Sequence, residues 1–290
     1  MNKIILATDS CSDLSLKQVK DMGVVTIPLS LTMQEETFFH YPDERELKID
    51  VFYDKLRDKV VAQTSLVNVA QFLIFFEDIL KEGNDILYIG FSSALSGTYQ
   101  SSVLAAEELK EKYPEQKIVT IDSLCASAGQ GLLIMKAYEA LSSGKTIDDV
   151  KTYIESIKLN LCHLFTVADL GTLKRGGRLS NAQAFVGGLL KLKPILHVNN
   201  EGKLVALQKV RGRKSSLDVM IDLIGERITH AKDQTILISH GDTIEEAKMV
   251  GDMIQTRFGV KEIIYNMIGP IIGAHAGPGT IAVFFMGEKR

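Results

Sequence analysis

Chemistry in this chain is concentrated in loops built from small hydroxyl residues, glycines and one histidine. The stretch ILYIGFSSALSGTYQSS, Ile86 to Ser102, runs from a strand-like apolar segment into a turn crowded with Ser92, Ser93, Ser96 and Thr98. One hydroxyl suffices to cap a helix. Gly97 adds a position without a side chain, where a ligand can approach the backbone. Amides, hydroxyls and the positive end of a helix dipole together suit an anion, so the turn reads either as a cap or as an anion cradle. In GAHAGPG, small residues surround His275, which can donate to an anionic group or sit hydrogen-bonded inside a tight loop. In LGTLKRGGRLSNAQ, Arg175 and Arg178 flank a Gly-Gly pair. Their guanidinium groups could hold a carboxylate or phosphate bidentately, or stay solvated.

Other chemistries fit less well. Asp9, Asp13 and Asp122 invite a metal or acid–base role. Asp9–Ser10 and Asp122–Ser123 also suit turns and caps, and this reading is favoured because no third carboxylate lies near either pair in sequence. No phosphate-loop lysine follows a glycine-rich turn, which speaks against a nucleotide-hydrolysing enzyme working alone. Ser65 or Ser96 with His275 leaves a small-molecule hydrolase or acyl transferase as an alternative, although nothing spells the G-x-S-x-G elbow. KVRGRKSS places Lys209, Arg211, Arg213 and Lys214 at the head of a helix, where cations oppose the dipole. Arg211 and Arg213 therefore read as a partner or phosphate surface, or as ordinary surface charge.

The elements that must position these residues come from an ordinary globular composition. The chain has 290 residues, 46% hydrophobic and 24% charged, enough for one large or two modest domains. Its formal charge of −3 offers no general attraction to nucleic acid. Cys11, Cys125 and Cys162 are odd in number and far apart, which fits a reducing compartment and makes no metal-ligand spacing. The opening MNKIILATDS is too short an apolar run for a signal peptide, and two lysines break the longest apolar stretch, FVGGLLKLKPIL. The expectation is a cytoplasmic protein.

In the first half, strand candidates at Ile4–Thr8, Val24–Leu31, Ile86–Phe91 and Ile118–Asp122 alternate with helical patterns. Such alternation means a mainly parallel sheet with helices on both faces. Ser15 with Gln18 forms a capping box, Thr146 opens a helix rich in acids at Asp148 and Asp149, and Thr243 with Glu246 reads as another box. Ser180 with Gln183 reads the same way. The second half groups Leu164–Val167, Ile195–Val198 and Leu204–Gln208, the last two joined by the NNEGK turn of a hairpin, with helices at Ser215–Ala231 and Thr243–Phe258. The expected organisation is an α/β domain over residues 1–160 and an α+β domain over 161–290. Ligands in open α/β sheets bind beyond the carboxyl ends of strands. Five polar loops meet that rule: TDSCSDLS, AQTSLVN, SSALSGTYQSS, DSLCASAGQG and IGPIIGAHAGPG.

These loops, in this order, resemble the DegV family, lipid-binding proteins that include the fatty-acid-binding subunit of bacterial fatty acid kinase. The resemblance rests on ATDSCSDL, Thr64–Ser65, LSGTYQSS, DSLCASAGQG, LKRGGRLS, KPIL and IGAHAGPG, and spans residues 8 to 279. It implies a two-domain DegV-like α/β fold enclosing one long-chain fatty acid as ligand, with no other cofactor. It implies that Thr64, Ser65, Ser96, Gly97 and His275 bind the carboxylate, with Arg175, Arg178 and Ser93 behind them. It further implies a carrier rather than an enzyme, presenting its lipid to a separate ATP-dependent kinase for conversion to acyl-phosphate. Apart from the resemblance, the charge of KVRGRKSS suggests that Arg211 and Arg213 face that partner or, transiently, a membrane surface. FVGGLLKL and IGPIIGA are candidates to line the acyl chain. Two departures stand out: Leu66 and Val67 follow Thr64–Ser65 where the family often has glutamine and proline, and Ala276 follows the histidine where threonine is usual.

Overall fold

The structure, a computed structural model, describes residues 2–180 and 192–290. In the first half the chain runs β1 (Ile4–Asp9), α1 (Leu16–Met22), β2 (Val25–Ile27), β3 (Ser30–Met33), β4 (Glu36–Phe39), α2 (Ile49–Arg57) and β5 (Ala62–Ser65). It continues with α3 (Val69–Leu80), β6 (Asp85–Gly90), α4 (Thr98–Lys112), β7 (Ile118–Asp122), α5 (Ala128–Ser142) and α6 (Ile147–Ile157). The order β2-β1-β6-β7 makes a four-stranded sheet with every pairing parallel. Its central strand β6 is buried throughout, as a strand covered on both faces must be. Period-2 alternation sends Leu6, Leu87 and Ile89 toward α5 and α6, and Ala7, Ile86 and Tyr88 toward α3 and α4.

The second half contains β8 (Leu161–Thr166), α7 (Leu170–Arg175), β9 (Leu192–Val198), β10 (Leu204–Arg211), α8 (Arg213–Arg227) and β11 (Thr235–His240). After these come α9 (Ile244–Phe258), β12 (Glu262–Met267), α10 (Pro270–Ala276) and β13 (Ile281–Met286). The order β10-β9-β8-β13-β11-β12 makes a six-stranded mixed sheet, parallel only between β11 and β12. One face, with Leu164, Ile238 and Val283, packs under α8 and α9. Phe165, Leu196 and Phe284 on the other face join the apolar cluster that holds Ala7, Ile86 and Tyr88, so the halves share a core. Helix α5 touches strands of both sheets.

Polar ties reinforce that junction. Ser92 Oγ donates to the Gly202 carbonyl at 2.9 Å, pinning the hydroxyl turn to the β9–β10 hairpin loop, where Gly202 has φ +76°. The buried Arg290 guanidinium donates to the carbonyls of Leu124 (2.6 Å) and Lys158 (2.8 Å) in the first half, and of Leu161 and Asn199 (both 3.0 Å) in the second.

The structure corrects several local expectations. The run Val24–Leu31 is not one strand: it breaks at Pro28, which has no amide for a ladder, and β2 and β3 enter different sheets. A three-stranded antiparallel sheet, β4-β3-β5, takes up residues whose pairing is not evident in the sequence, and the supposed AQTSLVN loop begins as β5. Residues 270–276 are helical rather than looped, with Pro270 preset for the first turn. The Ser15–Gln18 box forms, and Thr146, expected to open a helix, does so with a reciprocal capping box to Asp149 that was not among the expectations. The Thr243–Glu246 box does not, because Arg213 takes the Glu246 carboxylate and the Thr243 amide donates to His240 Nδ1. Gln183, and hence the box proposed with Ser180, lies outside the described residues.

Candidate functional site

Between the two sheets lies a cavity of about 400 Å³, within the ~300–1,000 Å³ of small-molecule sites. Its body is apolar, walled by residues such as Leu29, Phe91, Phe165, Val198, Ile271 and Phe284. At one end Thr64, Ser65, Ser96, Gly97, Arg178 and His275 supply polar groups. Four pieces of chain deliver them: the end of β5, the turn before α4, the turn after α7, and the last turn of α10.

His275 Nε2 and Thr64 Oγ1 are hydrogen-bonded at 2.8 Å, joining residues 211 positions apart. Burial, with the neighbouring Arg178 charge, lowers the imidazole from its ordinary 6.5 to about 4. The ring is therefore neutral at pH 7. Its Nδ1 is buried with no hydrogen-bond partner among the described residues and faces Gly176, where a Cβ would overlap it. The first glycine of KRGGR is thus required by the histidine rather than by its backbone angles, since φ is −67°. Arg178 donates to the Gly176 carbonyl at 2.6 Å and, more weakly, to the Leu95 carbonyl at 3.4 Å. Ser96 Oγ accepts the Thr98 amide at 3.3 Å and lies 3.0 Å from Thr98 Oγ1. The hydroxyl turn consequently caps α4 and borders the cavity at once, so the two readings of that turn are compatible. At Gly97 a Cβ would press on the Leu66 side chain at 3.2 Å, and both residues are exposed at the cavity entrance.

Two residues expected behind the site lie elsewhere. Ser93 is exposed, and its amide donates to Asp122 Oδ1 at 3.2 Å. Arg175 is exposed and donates to Thr172 Oγ1 at 3.1 Å. Neither lines the cavity. Of the expected partner surface, Arg211 is exposed, but Arg213 is committed internally, forked onto Glu246 and donating to the Gly279 carbonyl at 2.6 Å. Ile268, Ile271 and Ile272 of IGPIIGA line the cavity. All of FVGGLLKL except Leu192 lies outside the described residues.

The carboxylates are structural. Asp9 accepts from the Cys11 and Phe91 amides (3.0 and 2.9 Å) and from Tyr88 Oη (2.8 Å), and burial pushes its pKa up. Asp122 accepts the Ser93 and Leu124 amides. Among the described residues no group of three or more His, Cys, Asp or Glu is placed to hold a metal ion. Serine chemistry needs a hydrogen bond from nucleophile to base, and His275 Nε2 is bonded to Thr64 rather than to Ser65 or Ser96. Polar groups the sequence did not single out, Ser127, Thr280 and Cys11, also line the cavity, as does His163. Cys11 and Ser127 fall in the polar loops TDSCSDLS and DSLCASAGQG, a signal shared with neighbours that stay outside, whereas His163 lies within β8 and Thr280 just before β13, where the sequence carries no signal.

A family model described as "Uncharacterised protein, DegV family" matches residues 3–288. The chain belongs to the DegV family. A DegV domain-containing protein of Clostridium perfringens is 43% identical over 290 residues, covering 100% of this chain and 99% of its own. Among solved structures, a Thermus thermophilus DegV family protein described for fatty acid binding superposes with a TM-score of 0.87 at 28% identity, covering 98% of this chain and 99% of that one. DegV of Bacillus subtilis, described as a fatty acid binding protein, gives 0.86 at 28% identity, with 99% and 100% covered. The α/β architecture with its parallel sheet is thus the DegV fold. No helix among the described residues is long and apolar enough to cross a membrane.

Proposed function

We propose that this DegV protein binds one long-chain fatty acid, the acyl chain in the apolar cavity and the carboxylate among Thr64, Ser65, Ser96, Gly97, Arg178 and His275. The observation that carries this is an apolar cavity closing on one polar end, where the Thr64–His275 pair meets a nearby guanidinium. Removing about a dozen methylenes from water at ~0.8 kcal/mol each supplies on the order of 10 kcal/mol. A carboxylate drawn in with the chain needs several donors to offset its desolvation. Hydroxyls at 64, 65 and 96, the Arg178 charge and a neutral imidazole are the groups available. Fatty acid binding by the Thermus and Bacillus relatives supports the same reading.

The polar end opens at Ser65 and Gly97, both exposed, so a bound head group would face the outside of the protein. That suits a carrier, with two domains meeting near residue 160, that offers its carboxylate to a separate ATP-dependent kinase for conversion to acyl-phosphate.

Displacement of a fluorescent fatty acid by octadecanoic acid tests the head-group assignment. The double variant Ser96→Ala, His275→Ala is expected to weaken binding by about tenfold or more, since each tenfold is ~1.4 kcal/mol. Unchanged affinity would place the carboxylate elsewhere.

A further inference from the structure

The cavity wall changes character where α5 begins. Ser127 stands there, 5% exposed, in an otherwise mostly apolar body. Its backbone holds φ 54° and ψ −145°, a conformation that costs a non-glycine residue ~1–3 kcal/mol. The Ser127 hydroxyl donates to Asp13 Oδ2 at 2.5 Å, and Asp13 Oδ1 accepts the Gly269 amide at 2.9 Å. A serine has one proton, and this one is spent on a carboxylate. Only the oxygen lone pairs remain for the cavity.

Nearby polar groups on the lining do not reverse that balance. His163 Nε2 accepts the Ala126 amide at 3.3 Å, so the neutral ring carries its single proton on Nδ1, beside the Leu161 backbone. Thr280 spends its proton on the Ala276 and Gly277 carbonyls, at 3.0 and 2.9 Å. The Cys11 thiol is a weak donor.

Ser127 also stands away from the polar end. It is tied through Asp13 to Gly269, at the start of α10, whereas His275 lies six residues further along, roughly 9 Å at ~1.5 Å per residue. A fatty acid with its carboxylate at His275 would pass Ser127 with the middle of its chain.

We propose that the ligands of this cavity include long-chain fatty acids bearing a mid-chain hydroxyl, with Ser127 as the acceptor that selects a hydroxyl over an oxo group. This rests on the fatty acid reading above. Burying a hydroxyl without a partner costs ~1–3 kcal/mol, and Ser127 Oγ supplies the partner. An oxo group has acceptors only and would meet the serine oxygen lone pair to lone pair. Buried hydrogen-bond partners discriminate more sharply than a methylene fitted to an apolar wall.

The experiment is competition against radiolabelled octadecanoic acid by octadecanoic acids carrying one hydroxyl or one oxo group at successive mid-chain carbons. It is run at about pH 8.5, where the Asp13 carboxyl, raised to about 7, is ionised. At the best position the hydroxy acid is expected to bind about tenfold tighter than its oxo counterpart. The ratio is read within each variant, so a general change in affinity cancels. Ser127→Gly removes the acceptor at a backbone position that glycine favours, and the ratio is expected to collapse toward unity. Asp13→Asn keeps an oxygen for the Gly269 amide while presenting its NH₂ to Ser127, which frees the serine proton, and the preference is expected to invert toward the oxo acid. Equal hydroxy and oxo affinities at every position in the parent protein, with octadecanoic acid still bound, would overturn the proposal alone. Failure of octadecanoic acid to bind would overturn the reading beneath it.

Discussion

Gly176 and His275, 99 residues apart in sequence, are packed so closely that a methyl group on residue 176 would overlap the imidazole Nδ1. The turn after α7 therefore sets where the histidine points, and through it where Thr64 meets Nε2.

Gly176→Ala is expected to swing the His275 ring and break its bond to Thr64. Fatty acid affinity should fall by about tenfold or more, at a stability cost of ~1–3 kcal/mol for overpacking. Titration with octadecanoic acid, beside a urea unfolding curve, checks both. Parent-like affinity would mean that the ring position does not matter to the ligand.

Arg290 donates to carbonyls of both halves and has no side-chain carboxylate partner among the described residues. Arg290→Met keeps much of the volume but strands buried carbonyls that cost ~1–3 kcal/mol each when unsatisfied. A loss of about 3 kcal/mol in urea unfolding is expected, and a loss below about 1 kcal/mol would show that water replaces the guanidinium.

Buried titratable groups give stability a defined pH dependence. Desolvation lowers His40 and His275 from 6.5 to about 4. Between those values the unfolded chain binds protons that the folded chain does not, so stability is full above about pH 6.5 and falls as pH drops toward 4. Burial raises Asp13 from 3.8 to about 7, so it acts in the opposite direction, its stabilising effect being full below 3.8 and lost as pH rises through 7. Asp13→Asn removes this opposing group, and urea midpoints measured in steps from about pH 7 to about pH 4 should fall more steeply than in the parent. An unchanged slope would contradict the assignment.

Much of this was legible in the sequence, because local rules decided it. Parallel strands β1, β6 and β7 announce themselves by short apolar runs between amphipathic helices, and the hairpin loop by its Asn-Asn-Glu-Gly chemistry. The polar cavity end was legible too, as hydroxyl, glycine and histidine residues concentrated beyond strand ends, with the family resemblance supplying their order. What escaped depends on distant partners. Glu246 reads as a cap in sequence but is held by Arg213, Arg213 reads as a partner or phosphate surface but is spent on Glu246, and nothing in the sequence pairs Ser127 with Asp13. Arg175 and Ser93 have the right chemistry and point away, which spacing in a turn cannot reveal.

The central claim is that the cavity holds a fatty acid, and mass spectrometry of the organic extract of natively purified protein tests it most directly. One fatty acid per chain is the expected result, and it would also identify the preferred acyl chain. An empty extract from protein that also fails to take up added octadecanoic acid would contradict it.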